Sequence, residues 1–270
     1  MSETDKLFAG SIPENYDRHM VPLIFEAYAR DISQRVAALA PKAVLETAAG
    51  SGVVTRALAP ILKPDASCVV TDLNQPMLDY AKARQGADSR FRWQKADAQA
   101  LPFEDAIFDL VCCQFGVMFF PDRPSGYREA RRVLRPGGAF LFSAWDRIED
   151  NVFANDVTDA LATFFPDDPP RFLARTPHGY HDIAQIRSDL AKAGFTYATI
   201  ETVKAESRAP SARHVALAYC QGTPLRNEIE ARGPDRLEAA TGHAAALIAA
   251  RHGRGKISAK IQAHVVLAKA

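Results

Sequence analysis

The chain has 270 residues and a formal net charge of +1, with 47% apolar and 24% charged residues. That is the balance of a soluble globular protein, long enough for one large domain or a core with an appended subdomain. With a net charge of only +1 and no Lys/Arg-rich run, the composition speaks against nucleic acid or an anionic membrane surface as partner.

The first residues, Met1-Ser2-Glu3-Thr4-Asp5-Lys6, are polar and lack the basic start and apolar core of a secretory signal. No apolar run approaches the ~18–20 residues of a spanning helix. Cys68, Cys112, Cys113 and Cys220 form no C-x-x-C pair, and three of them lie in strand-like apolar runs. Reduced, buried thiols and a cytoplasmic location are the expectation.

Ile12–Arg18 reads as a loop, and Val21–Ala40 as a helix with Leu23, Ile24, Ala27, Tyr28, Ile32, Val36 and Leu39 at helical spacing. The leading segment, with two aromatics and Arg18, is read either as a lid over a ligand or as a helix packed on a sheet. Strand and helix then alternate. The strands are expected at about 43–47, 67–72, 91–95, 106–114 and 139–145, the last four divided by loops or helices. Helices are expected at about 53–63, after Asn74-Gln75-Pro76, and over Arg123–Arg135, where Pro136-Gly137-Gly138 ends the last. Such alternation implies parallel βαβ crossovers and an α/β sheet.

After Trp145 the regularity stops at a turn-rich stretch containing Phe164-Phe165-Pro166-Asp167-Asp168-Pro169-Pro170. A helix is expected over about 182–193 and a strand over about 196–204. Residues 211–251 read as all helix, broken at Gly222-Thr223-Pro224 and near Gly233-Pro234, and a strand-like run covers 261–268. The expected organisation is a leading helical lid, 1–40, and a core made of 41–146 and 182–204 with 257–270. Two insertions, 147–181 and 205–256, form a substrate cap.

In an open parallel sheet, ligands bind outside the carboxyl ends of the strands, at the switch in strand order. Gly50-Ser51-Gly52 ends the first strand, Asp72 the second, Asp97 follows the third and Gln114-Phe115-Gly116 ends the fourth. Asp72 is placed to accept hydrogen bonds from ribose hydroxyls, and Asp97 to face the amino edge of an adenine. Leu73 and Met77 offer apolar surface to a base. A dinucleotide fingerprint would need a third small residue after Gly52, and the chain has Val53-Val54-Thr55 there. Glu46 at the strand end would repel a pyrophosphate and suits a cationic ligand, such as an ammonium or a sulfonium. No Lys-Ser/Thr follows the glycines, which excludes a P-loop.

Over Ala43–Asp146 the chain resembles the class I S-adenosylmethionine-dependent methyltransferases, closest to the small-molecule branch that includes the ubiquinone/menaquinone-biosynthesis type. The resemblance rests on Val44-Leu45-Glu46-Thr47-Ala48-Ala49-Gly50-Ser51-Gly52, on Thr71-Asp72-Leu73-Asn74-Gln75-Pro76-Met77-Leu78, and on Ala96-Asp97-Ala98-Gln99-Ala100-Leu101-Pro102-Phe103. It also rests on Phe108-Asp109-Leu110-Val111 followed by Arg132-Val133-Leu134-Arg135-Pro136-Gly137-Gly138. It implies a Rossmann-like, seven-stranded, mostly parallel sheet closed by a C-terminal reversed β-hairpin, plus helical insertions. It further implies S-adenosylmethionine as cofactor. Glu46 then lies on the methionine amino and sulfonium side, while Ala48, Gly50 and Gly52 give close backbone approach. Asp72 holds the ribose, Leu73 and Met77 flank adenine, Asp97 with the Ala98 backbone addresses its amino edge, and Gln114 faces the methionine portion. Ala48 stands where the family has its first glycine, which is tolerable if φ there is negative.

The expected reaction is in-line methyl transfer to a small-molecule acceptor, needing a general base only if the acceptor loses a proton. Substrate contacts are expected from Tyr16, Phe115, Phe119, Tyr180 and His181, and Tyr16, Tyr180 and His181 are the candidate catalytic groups. His178 and His181 are three apart, yet Asp182 reads more simply as the cap of the next helix, and no metal is expected. Phe164, Phe165 and Phe172 suit either a hydrophobic cap or packing of the insertion itself. A catalytically silent cofactor-binding module and an NAD(P)-dependent oxidoreductase are the alternative functions. The oligomeric state, a homodimer included, stays open.

Overall fold

The computed structural model describes residues 12–233 and 235–270; residues 1–11 of the expected lid, and Pro234, lie outside the described residues. The chain opens with α1 (Ile12–Asn15), a π-helical segment Tyr16–Phe25 and α2 (Glu26–Leu39). Then follow β1 (Ala43–Glu46), α3 (Val53–Leu58), β2 (Ser67–Asp72), α4 (Gln75–Gln85), β3 (Phe91–Lys95), β4 (Phe108–Gln114), α5 (Arg123–Val133) and β5 (Leu134–Trp145). Beyond these come α6 (Val152–Phe164), α7 (Phe172–Arg175), α8 (Ile183–Lys192), β6 (Tyr197–Ala209), α9 (Ala212–Gln221), α10 (Leu225–Glu230), α11 (Arg236–His252) and β7 (Ile257–Lys269).

The strands form one seven-stranded sheet in the order β3-β2-β1-β4-β5-β7-β6. The first five are parallel, β7 runs antiparallel to β5, and β6 antiparallel to β7. This is the Rossmann-like sheet with a reversed hairpin. Strand order reverses between β1 and β4, so the loops after those two strands open onto one crevice. β1 and β4 are almost wholly buried, which is why their sequences run apolar without alternation. Helix starts are capped as their sequences suggest. Asp122 accepts from Ser125 N at 3.1 Å, Asp182 from Ala184 N at 2.8 Å and Ser211 from His214 N at 3.2 Å.

Four boundaries differ from the sequence reading. The stretch 12–18 is helical, and it runs into the π-helical segment with Pro22 inside it. Pro22 has no N–H to give a regular α-ladder, and widened turns of this kind gather at functional sites. α3 stops at Leu58, where Arg90 donates to the carbonyls of Ala59 (2.7 Å) and Leu62 (2.5 Å) and so satisfies the frayed end. α5 ends at Val133 because Leu134 already pairs with Phe108 across a bulge. The hairpin is longer than expected. β6 and β7 stay paired from Tyr197↔Lys269 to Ala209↔Ile257, so 205–209 belong to the sheet and not to an insertion, and 257–260 extend the expected strand 261–268.

Asn151, almost fully buried, fastens the end of β5 to β7. Its Nδ2 donates to the carbonyls of Arg147 and Gln262, each at 3.1 Å, and its Oδ1 accepts from Gln262 N at 3.1 Å. Removing the amide leaves buried backbone groups unpaired, so Asn151→Ala is expected to cost about 2 kcal/mol. Thermal or urea unfolding checks this, and a wild-type midpoint would show that the staple contributes nothing.

Candidate functional site

The turn after β1 is held by the backbone. Thr47 N donates to Cys112 O at 2.9 Å, Ala49 N to Thr71 O at 3.0 Å, and Gly52 N closes the turn on Ala49 O at 2.9 Å. Gly50 and Gly52 take φ of +58° and +81°, and a Cβ on Gly52 would stand 2.9 Å from the Ala81 Cβ. Both positions therefore require glycine. Ala48 corrects the sequence reading, since its φ is +52° and not negative. The neighbouring turn after β4 packs directly against it. There a Cβ on Gly116 would come within 2.5 Å of the Ala48 Cβ, and Phe115 is itself at φ +52°. Two non-glycine residues in the left-handed region, side by side at the strand ends, mark a strained and over-determined crossing.

Two carboxyl groups lie at the bottom of the crevice, Glu46 at 2% exposure and Asp72 at 6%. Glu46 accepts from Thr55 Oγ1 at 2.6 Å. Burial outweighs that bond and the nearby Arg56, and pushes the Glu46 carboxyl up to about 7. Asp72 is likewise raised by burial, against hydrogen bonds from the backbone of Asn74 (2.7 Å) and Gly50 (2.8 Å). Asp72 thus ties the glycine turn to the end of β2, and its oxygens keep further lone pairs for a ligand.

A cleft of about 1030 Å³ opens above these groups. Among the residues expected at the cofactor, Glu46, Ala48, Gly50, Asp72, Leu73, Met77, Asp97, Ala98 and Gln114 all line it. Gly52 does not, and sits behind it against α4. Asp97 is exposed, with Oδ1 accepting from Gln99 N at 2.9 Å. Gln114 donates from Nε2 to Phe25 O at 3.3 Å, and its buried Oε1 has no hydrogen-bond partner among the described residues. An unpaired buried acceptor in a carboxyl-walled cleft fits an ammonium-bearing cationic ligand.

A second cavity of about 480 Å³ adjoins the first, and Tyr16, Phe25, Phe115 and Phe119 line both. Of the expected substrate residues, the structure brings Tyr16, Phe115 and Phe119 to this wall. Tyr180 lies elsewhere, buried, with its hydroxyl 3.2 Å from that of Tyr127 and donating to Asp189 Oδ2 at 3.0 Å. His181 is exposed, and its Nδ1 lies 2.8 Å from His178 O. Neither lines either of these two cavities, so the structure does not bring them to the wall that Tyr16, Phe115 and Phe119 form. The sequence gives no sign of this, because both follow His178 in one short loop whose inward residue only packing selects.

Other residues of the site were missed in the sequence. Asp17, not Arg18, anchors the leading segment. It accepts from Ser51 Oγ at 2.8 Å and Arg56 at 2.7 Å, and it meets Tyr80 and Arg84 at 3.3 Å. This network fastens Tyr16 above the cleft. A carboxylate next to Tyr16 was the available signal. Trp145 stacks on Phe115 with centroids 3.7 Å apart and planes within 3°. The insertions roof the second cavity with Phe172, Leu173, His178 and Tyr219.

Two outcomes follow from this geometry. Ala48→Gly is expected to stabilise the fold by about 1 kcal/mol by relieving the left-handed methyl; a midpoint at or below wild type counts against strain. Glu46, raised from 4.5 to about 7, contributes stability that is present below pH 4.5 and lost as the pH rises through 7. The stability difference between wild type and Glu46→Gln should therefore change by roughly 3 kcal/mol between pH 4.5 and 8. A difference independent of pH would show that Glu46 titrates normally.

Residues 45–142, about a third of the chain, match the family described as Methyltransferase domain. The chain is 29% identical over 168 residues to the ubiquinone/menaquinone biosynthesis C-methyltransferase UbiE of Ectopseudomonas mendocina, covering 58% of this chain and 66% of that protein. It is 41% identical over 103 residues to an uncharacterized protein of Mycobacterium tuberculosis, covering 38% of this chain and 36% of the other. The matches thus span less than two thirds of these relatives. The fold is that of the YcgJ protein of Bacillus subtilis, with a TM-score of 0.57 at 20% identity over 90% of this chain and 98% of that one. With the sheet, the acidic strand ends and the glycine turn in register, residues 45–142 match a methyltransferase domain, and the chain resembles the class I S-adenosylmethionine-dependent methyltransferases of the ubiquinone/menaquinone-biosynthesis branch.

Proposed function

We propose that this protein transfers the methyl group of S-adenosylmethionine to a small, uncharged acceptor seated in the second cavity. The observation that carries the reading is the adjacency of the two cavities, which share Tyr16, Phe25, Phe115 and Phe119 as a common wall. Bound S-adenosylmethionine supplies an already activated methyl on a sulfonium. The chain's task is then to align the partners and exclude water.

In this reading Gly50 and Ala48 give close backbone approach, and Gly52 allows α4 to pack behind the turn. Glu46 and the Gln114 Oε1 serve the ammonium and sulfonium side. Asp72 takes the ribose hydroxyls, Leu73 and Met77 flank the adenine, and Asp97 with Ala98 addresses its amino edge. Tyr16 closes the cleft from the leading segment as a lid. Burial, with Asp72 and Asp17 adding, raises the pKa of its hydroxyl, so it acts as a donor and not as a base. The insertions act as the substrate cap. Charged side chains are absent from the second cavity among the described residues, which favours an uncharged, ring-bearing acceptor. The quinone-pathway name of the UbiE relative agrees with such a molecule.

S-adenosylhomocysteine is expected to raise the melting temperature, with about 2.7 kcal/mol of stabilisation at a hundredfold excess over Kd. NAD(P)H is expected to have no effect. Stabilisation by NAD(P)H alone would overturn the assignment, and tight binding without transfer to any acceptor would leave a silent binding module. Asp72→Ala should weaken S-adenosylhomocysteine about 10- to 100-fold by calorimetry; unchanged affinity would remove its ribose role.

A further inference from the structure

The second cavity is walled by aromatic rings, chiefly Phe25, Phe115, Phe119, Trp145 and Phe172, and its polar groups are few. Thr223 is already used, since its hydroxyl donates to Tyr219 O at 2.7 Å and accepts from Leu225 N at 3.2 Å. The Tyr16 and Tyr219 hydroxyls are pushed up by burial and keep their protons. That leaves the imidazole of His178, which is 5% exposed and lines the cavity.

The tautomer of His178 is fixed by its surroundings. Nδ1 lies 2.8 Å from the carbonyl of Asp146, and a carbonyl can only accept. Nδ1 therefore carries the hydrogen, and Nε2 presents a lone pair. Nε2 has no hydrogen-bond partner among the described residues.

We propose that His178 Nε2 receives the hydroxyl proton of an uncharged hydroxylated aromatic acceptor in this cavity, an inference that rests on the methyltransferase reading above. The ring lies between the aromatic walls, and its O–H donates to Nε2. Methyl uptake by a neutral acceptor forms one bond to the methyl carbon and releases one proton. The electron pair of the broken sulfur–methyl bond stays on sulfur, the proton goes to Nε2, and water then takes it. A protonated amine is disfavoured, because no carboxylate among the described residues lines the cavity to hold its charge.

The groups around His178 keep it in this state. Desolvation lowers its pKa to about 4 and His181 adds to the effect, while the Asp146 carbonyl and carboxylate and Glu149 oppose it. His264, on β7, lies 3.3 Å from Asp146 Oδ1 and 3.0 Å from His181 O. His178 is thus an uncharged acceptor throughout the neutral range and is available to a hydroxyl at every pH above about 5.

The test uses the full chain with ¹⁵N-labelled histidine and bound S-adenosylhomocysteine, titrated with 4-chlorophenol and, separately, with its methyl ether 4-chloroanisole. The phenol should move the Nε2 resonance of His178 upfield and bind about tenfold more tightly than the ether, which should leave Nε2 in place. His178→Asn keeps an amide donor for the Asp146 carbonyl and lacks Nε2, so the preference for the phenol should vanish. Binding of S-adenosylhomocysteine serves as the check that this variant is folded. Equal binding of phenol and ether with Nε2 unmoved, no binding of the phenol, or a preference that survives His178→Asn would each overturn the proposal while the methyltransferase reading stands. Failure of the wild type to bind S-adenosylhomocysteine would remove both.

Discussion

The turns after β1 and β4 cross with no spare room, and the site depends on that contact. Gly116 cannot carry a Cβ because the Ala48 methyl already fills the space, and Ala48 and Phe115 are both held at positive φ to make the crossing. A residue in this conformation persists only where its surroundings over-determine it. Here they do so through the parallel pairing of β1 with β4, the bond from Thr47 N to Cys112 O, and the stack of Phe115 on Trp145. The strain is local, but its consequence is not. It sets Phe115 in the wall that the two cavities share.

The cofactor cleft has a second dependence, on charge. Glu46 and Asp72 are both buried, and burial raises the pKa of each. A cationic ligand entering beside Glu46 would reverse that balance, because an opposite charge favours the ionised form. Asp17 differs. It meets Arg56, Arg84, Ser51 and Tyr80, and uses those contacts to hold the leading segment against the glycine turn and α4. Carboxyl groups are thus buried at the strand ends in one place and tie the leading segment to the glycine turn and α4 in another.

Much of the core was legible in advance. The runs around Val44, Val69, Val111 and Phe140 carry strand residues that are buried on both faces, and the sequence shows this as missing alternation. Acidic residues and glycines at strand ends marked the crevice, because an open α/β sheet has one place to bind a ligand. The lining of the second cavity was legible only in part. Phe115 and Phe119 follow β4 directly, whereas Trp145, Phe172, His178 and Tyr219 come from separate elements and meet only in three dimensions. Tyr180 and His181, which share a loop with His178, face a buried hydrogen-bond pair and solvent respectively.

The sequence by itself determined the order of strands and helices, the glycine turn and the acidic strand ends, because each is a local pattern of period, conformation or charge. Only the tertiary structure decided the sign of φ at Ala48, the anchoring of the leading segment by Asp17 and the burial of His178, and not His181, against the second cavity. Those three depend on what lies across a gap from residues far apart in the chain: Gly116 for Ala48, Arg56 and Arg84 for Asp17, and the Asp146 carbonyl for His178. The glycine turn after β1 thus has its first small residue, Ala48, packed against a neighbouring turn at a φ that glycine would adopt more freely.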